Sequence, residues 1–198
     1  MLENNNDSWE ELLKLCENCT KCQLHKTKTN TVFGKGSRTA TVLFVGEAPG
    51  EQEDLQGIPF CGASGKLLDK YFAAIDMKQD EYYVANILKC RPPHNRDPLP
   101  EEQDACIGYL REQLKLINPK IIVCLGRIAA MKIIKPDFKI TKEHGKWFKK
   151  GKFYITAVYH PSMLLRDPSK REETMKDFLE IERMLINARN QDAEFKVD

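Results

Sequence analysis

The chain's 198 residues include 31 Lys+Arg and 29 Asp+Glu, a formal charge of +2, with 41% hydrophobic and 30% charged residues. That length buries one good core, and the composition excludes a collagen-like, disordered or coiled-coil chain, so one domain spanning 1–198 is expected. No apolar run approaches the roughly 20 residues of a bilayer span, and near-zero charge excludes general affinity for nucleic acid, leaving only local patches.

The start, Met1-Leu2-Glu3-Asn4-Asn5-Asn6-Asp7, lacks a basic flank and an apolar run, so no secretory leader is read and a cytoplasmic location is expected. Ser8-Trp9-Glu10-Glu11 fits a capping box, and Leu12, Leu13 and Leu15 continue an apolar face, predicting a short opening helix. A polar, lysine-bearing loop runs to about Thr39, completing an N-terminal segment over 1–40. Thr41 to Val45, ending at Gly46, reads as a buried strand. Gly50 to Gly65 reads as loop, dense in Gly and Pro, and Lys66 to Ile75 has helical spacing.

Tyr82 to Ile87 is the second strand. Arg91 to Pro98 holds three prolines and cannot be helix, whereas Pro100-Glu101-Glu102 opens one that runs to about Ile117. Lys120 to Leu125 is the third strand, followed by a helix over Arg127 to Ile134. Lys146 to Lys152 resembles a hairpin turning at Lys150-Gly151, Phe153 to Tyr159 is the last strand, and Lys170 to Ala188 a closing amphipathic helix. Residues 189–198 read as a flexible tail.

Strands alternating with helices predict an α/β fold: a three-layer α/β/α sandwich around a mostly parallel, four-stranded sheet. Ligands of such sheets sit beyond the carboxyl ends of the strands. Four separate segments end there: Gly46 to Gly50, Asn86, Gly126-Arg127 and His160-Pro161-Ser162. Singly, Glu47 reads as a solvated loop residue and His160-Pro161 as a turn. Their convergence on one rim is what points to a pocket.

Seven cysteines are unusual in a chain with no disulfide-scaffold pattern and point to metal. Cys16, Cys19 and Cys22 stand three apart, and Cys90 and Cys106 lie far downstream. A Cys-x₂-Cys turn aims two thiolates at one metal or cluster, but the second, wider pair does not match a zinc ribbon. Four thiolates from Cys19, Cys22, Cys90 and Cys106 suit [4Fe–4S], [2Fe–2S] or zinc, with Cys16 either an unused neighbour or a substitute for Cys19, and spacing leaves both choices open. Cys61 and Cys124 read as small core hydrophobes.

Three motifs then occur in order: Gly46 to Asp54 continuing through Gly57-Ile58-Pro59-Phe60 and Gly62 to Leu68; Asn86 to Pro93; and His160 to Arg166. Together with the cysteine spacings they resemble the iron–sulfur, family-four uracil-DNA glycosylases, from about Cys19 to the last helix. The resemblance implies a structural [4Fe–4S] cluster on Cys19, Cys22, Cys90 and Cys106, with Cys16 an extra thiol outside the pattern. It implies a monomer that flips uracil from single- or double-stranded DNA, hydrolyses the N-glycosidic bond, and hands an abasic site to downstream repair enzymes.

The chemistry asks for the groups present. Phe60 can stack on the everted ring, and the Asn86 amide offers uracil a donor and an acceptor that cytosine would meet reversed. Backbone N–H groups around Gly46, Glu47 and Ala48 can meet the base's O2, and His160 can donate to that oxygen as charge develops. Better-known relatives place Asp where this chain has Ala48, so water activation moves to a glutamate. Glu47 is read as electrostatic or water-orienting and Glu53 as pocket wall or alternate base.

Gly62 to Lys66 fails as a phosphate loop, because Leu67 stands where Ser or Thr is required. Ser64, Gly65 and Lys66 are read instead against DNA phosphate at a helix start. The resemblance makes Leu164 or Leu165 the wedge filling the space of the flipped base, with Ser162 and Arg166 on the DNA beside it. Six lysines between Lys139 and Lys152 add a candidate phosphate-binding face. Two rivals are a uracil-DNA binder trapped covalently through His94 and an iron–sulfur carrier or polymerase-associated module without catalysis.

Overall fold

Five-residue apolar runs bounded by glycine or polar turns form the centre of the sheet. In the computed structural model, which describes residues 5–190, these are β2 (Val42–Gly46), β3 (Tyr82–Asn86), β4 (Ile121–Leu125) and the six-residue β6 (Phe153–Val158), all parallel. The predicted tail lies outside the described residues from 191 onward. Four core strands were expected, but among the described residues the sheet has six, with β1 (Lys35–Gly36) and β5 (Phe148–Lys150) at its edges, in the order β1-β3-β2-β4-β6-β5. Both additions are antiparallel, the second being the first arm of the predicted hairpin. Two or three residues carry too little alternation to be read as strands.

Alternation along the central strands divides the core in two. Val42 and Phe44 of β2, with Ile121 and Val123 of β4, pack on one side against α3 (Ala63–Ala74) and α8 (Arg171–Arg189), through Leu68, Phe72, Phe178 and Ile181. Leu43, Val45, Ile122 and Cys124 face the other side, against α1 (Asn5–Glu17), α4 (Pro100–Ile117) and α5 (Arg127–Ile133). Strands buried on both faces between two helical layers make the expected three-layer sandwich. Cys124 is wholly buried in it.

Several local readings need correction. The opening helix already includes Asn5, so Ser8 lies inside it rather than at its cap. The predicted loop from Gly50 contains α2 (Glu51–Gln56), because the Glu53 carboxylate accepts from the Gly50 N–H and Gly57 closes the turn at φ 71°. A short α6 (Ile140–Glu143) precedes the hairpin. The segment after the last strand is helical, α7 (Pro161–Arg166), with Pro at its first position and the His160 ring as its N-cap. Among the described residues, no helix is long and apolar enough to cross a membrane.

Candidate active site

All four predicted rim segments meet. They line a cleft of about 610 Å³ at the carboxyl ends of the parallel strands, together with Phe60 and Asp97. Asn86 ends β3 directly beside Gly46 of β2. It is buried, and among the described residues its Oδ1 has no hydrogen-bond partner. An orphaned buried carbonyl costs about 1–3 kcal/mol, a cost that a ligand carrying an N–H removes. Gly46 makes this possible: a Cβ there would overlap Asn86 Oδ1 and stand 2.8 Å from Phe60 Cζ.

Phe60 holds a left-handed backbone, φ 51°, that aromatic residues rarely adopt. Lys35 Nζ donates to its carbonyl at 3.3 Å, and Gly65 packs so close beneath that an added Cβ would overlap the carbonyl oxygen. The ring is thereby aimed into the cleft, its centroid 5.8 Å from that of His160.

His160 has a determined tautomer. Its Nδ1 accepts from the Ser162 N–H at 3.1 Å, with Ser162 Oγ 2.7 Å away. Burial, aided by the Arg166 charge, pushes its pKa down to about 4. The ring is therefore neutral at physiological pH, and with Nδ1 accepting, Nε2 carries the proton.

The two glutamates differ. Glu53 is committed: its carboxylate accepts from the Gly50 N–H and the Gly62 N–H, both at 3.1 Å, and so ties two walls of the cleft together. No hydrogen bond or ion pair within the described residues engages the Glu47 carboxylate. Burial and the neighbouring Asp97 push its pKa up to about 7, with Arg127 opposing. The Gly46 and Glu47 carbonyls accept from Ile87 and Leu88 at 3.0 Å, fixing this loop to the end of β3. Asp97 and Arg127 form an ion pair at 2.8 Å on the cleft wall. Arg127 was visible at the rim, but Asp97, thirty positions earlier in a proline-rich stretch, carried no signal.

The predicted DNA-side residues separate. Ser64 and Arg166 line the cleft and Lys66 is exposed, whereas Gly65 is buried and serves packing under Phe60. Ser162 orients His160. Of the two wedge candidates, Leu164 is 1% exposed in the core and is excluded, and Leu165 is 40% exposed. Leu164→Ala is expected to destabilise the fold by about 2–5 kcal/mol in denaturant titration. Leu165→Ala should leave stability unchanged and slow reaction on duplex DNA about tenfold more than on single strands, about 1.4 kcal/mol.

The lysine run also divides. Lys149, Lys150 and Lys152 sit where β5 turns into β6, at the end of the sheet opposite the cleft, and Lys150 donates to the Ile133 and Ile134 carbonyls. Lys139 and Lys142 flank or lie in α6, whose Ile140 and Thr141 line the cleft.

A second cavity brings together Cys16, Cys19, Cys22, Cys90 and Cys106, with Leu24, Leu88 and Tyr109 beside them. The four predicted thiols thus meet, and Cys61 and Cys124 stand elsewhere. Burial pushes the Cys16 and Cys90 thiols up to about 12. Among the described residues, no three Cys, His, Asp or Glu side chains are grouped to hold one metal ion. The four predicted thiols line one cavity, a donor set whose chemistry fits a thiolate-bound metal group. The Lys89 N–H donates to Cys106 Sγ at 3.3 Å.

A family model described as the Uracil DNA glycosylase superfamily matches residues 33–183. The chain is 46% identical to a type-4 uracil-DNA glycosylase of Archaeoglobus fulgidus, over 88% of this chain and 92% of that protein. It is 41% identical to one of Sulfurisphaera tokodaii, over 91% and 86%, and 38% identical to one of Pyrobaculum aerophilum, over 85% and 90%.

Proposed function

Since the chain belongs to the uracil-DNA glycosylase superfamily, among its type-4 members, we propose that it excises uracil from DNA by hydrolysing the N-glycosidic bond and cuts no phosphodiester. The product is an abasic site for downstream repair enzymes, and the enzyme acts as a cytoplasmic monomer on single- or double-stranded DNA. The observation that carries this reading is the buried, unpartnered Asn86 Oδ1 at the floor of a cleft walled by Phe60 and His160.

The flipped base stacks on Phe60, and its N3–H donates to Asn86 Oδ1 while its O4 accepts from the Asn86 amide. Cytosine presents an acceptor and a donor in the reverse order, leaving both buried groups of Asn86 unpaired. As the glycosidic bond breaks, negative charge moves onto the base and positive charge onto the sugar. The His160 Nε2–H and the backbone of the Glu47–Ala48 loop stabilise O2 without a full proton transfer. Glu47 orients the attacking water, while Glu53 holds the pocket walls. Leu165 fills the gap left in the stack, and Arg166, Ser64 and Lys66 hold flanking phosphates. Cys19, Cys22, Cys90 and Cys106 would hold a [4Fe–4S] cluster, which supplies a structural brace between the N-terminal segment and the Cys90 loop. Covalent trapping through His94 is disfavoured, because His94 is not among the cleft residues.

The test is release of free uracil from oligonucleotides, with cytosine and thymine as controls; no release from any uracil substrate overturns the reading. A pH series adds a sharper check. Glu47 ionises near 7, so excision should fall as pH drops through that value, and Glu47→Gln should lower the rate by about tenfold and flatten the profile. Stability should move the opposite way. The folded wild type keeps the Glu47 proton to about 7, and the unfolded chain releases it near the ordinary 4.5. Unfolding therefore releases a proton across that window, and wild-type stability falls with rising pH there, a slope that Glu47→Gln lacks in thermal melts.

A further inference from the structure

Lys89 is a cation in an unusual place. Its side chain is 1% exposed, at the start of the loop that carries Cys90. Its Nζ donates to the Phe33 carbonyl at 3.1 Å and to Gln113 Oε1 at 2.7 Å, and lies 5.8 Å from the Phe33 ring centroid. Both acceptors are neutral, and among the described residues no carboxylate pairs with it. Burying an ammonium is strongly unfavourable unless negative charge lies near. The same residue's main-chain N–H reaches Cys106 Sγ, and Lys89 itself lines the thiol cavity between Leu88 and Cys90.

We propose that Lys89 is the built-in counter-charge of the thiolate-bound cluster, acting as a positioning residue that retains the cluster and raises its reduction potential. The inference rests on the iron–sulfur reading above. Thiolates on an iron–sulfur core carry net negative charge, and reduction adds more. A fixed cation and an N–H···S bond favour the reduced form over the oxidised one, so potential rises. Gln113 holds the ammonium in place, its Nε2 donating to the same Phe33 carbonyl at 3.0 Å.

The test uses the cluster-loaded protein, with iron content, visible absorbance and a redox titration as readouts. Lys89→Met should lower the midpoint potential and speed iron loss to a chelator, and Lys89→Arg should stay close to wild type. If Lys89→Met does not fold or load, Gln113→Glu keeps the lysine but neutralises its charge from the side of Phe33, and should also lower the potential. A loaded wild type with an unchanged potential in Lys89→Met, or in Gln113→Glu where that variant stands in, overturns the role of Lys89 alone. A wild type without iron–sulfur absorbance overturns the cluster reading and this inference with it.

Discussion

Replacing Asn86 by alanine is expected to lower uracil release by about 10²–10³-fold, the usual cost of deleting one preorganised hydrogen-bonding group from a site. The side chain sits at the end of β3 with a buried, unpartnered oxygen, so in the free protein it contributes no bond to the fold through that atom. Removing it should leave the melting temperature unchanged or slightly raised, since an unsatisfied buried acceptor disappears. Loss of activity with loss of stability would instead mean that Asn86 holds the strand end. Full activity in Asn86→Ala would remove it from base recognition altogether.

His160→Ala is expected to cost about 10²–10³ in the rate of excision, the usual effect of deleting one donor to a developing oxyanion. The ring is neutral down to about pH 4, so its contribution is a hydrogen bond from Nε2, not a transferable proton. The pH profile of His160→Ala across the range where Glu47 titrates should therefore keep the wild-type shape at a lower rate. His160→Gln, which retains an N–H at a similar reach, should recover part of the loss. A profile whose acid limb vanished with His160 would assign the proton chemistry to the imidazole and take it from Glu47.

The strands and their common rim were legible because each core strand is a short apolar run ended by glycine or a polar residue. Their parallel direction then follows from the α/β alternation, whereas the strand order does not. Elements set by single caps were not legible. α7 depends on the His160 ring accepting from Ser162, and α2 on the Glu53 carboxylate reaching back to Gly50, neither of which shows as periodicity. Leu164 and Leu165 are adjacent in a short helix of fewer than two turns, too short for spacing to say which one faces α3. The lysines around β5 looked like one face because neighbours along a hairpin are close in number, while the turn carries half of them to the far end of the sheet. Glu47 and Glu53 are chemically alike in the sequence, and only the backbone donors around Glu53 separate their roles.

The sheet's two outermost members are only two and three residues long, and each carries lysine, Lys35 on one flank and Lys149 and Lys150 on the other. Such stubs offer a neighbouring molecule no ledge of open backbone on which to extend the ladder, and their charge repels an identical copy. Solutions of this protein should stay free of fibrils even when crowded, leaving the enzyme dispersed for its search along DNA.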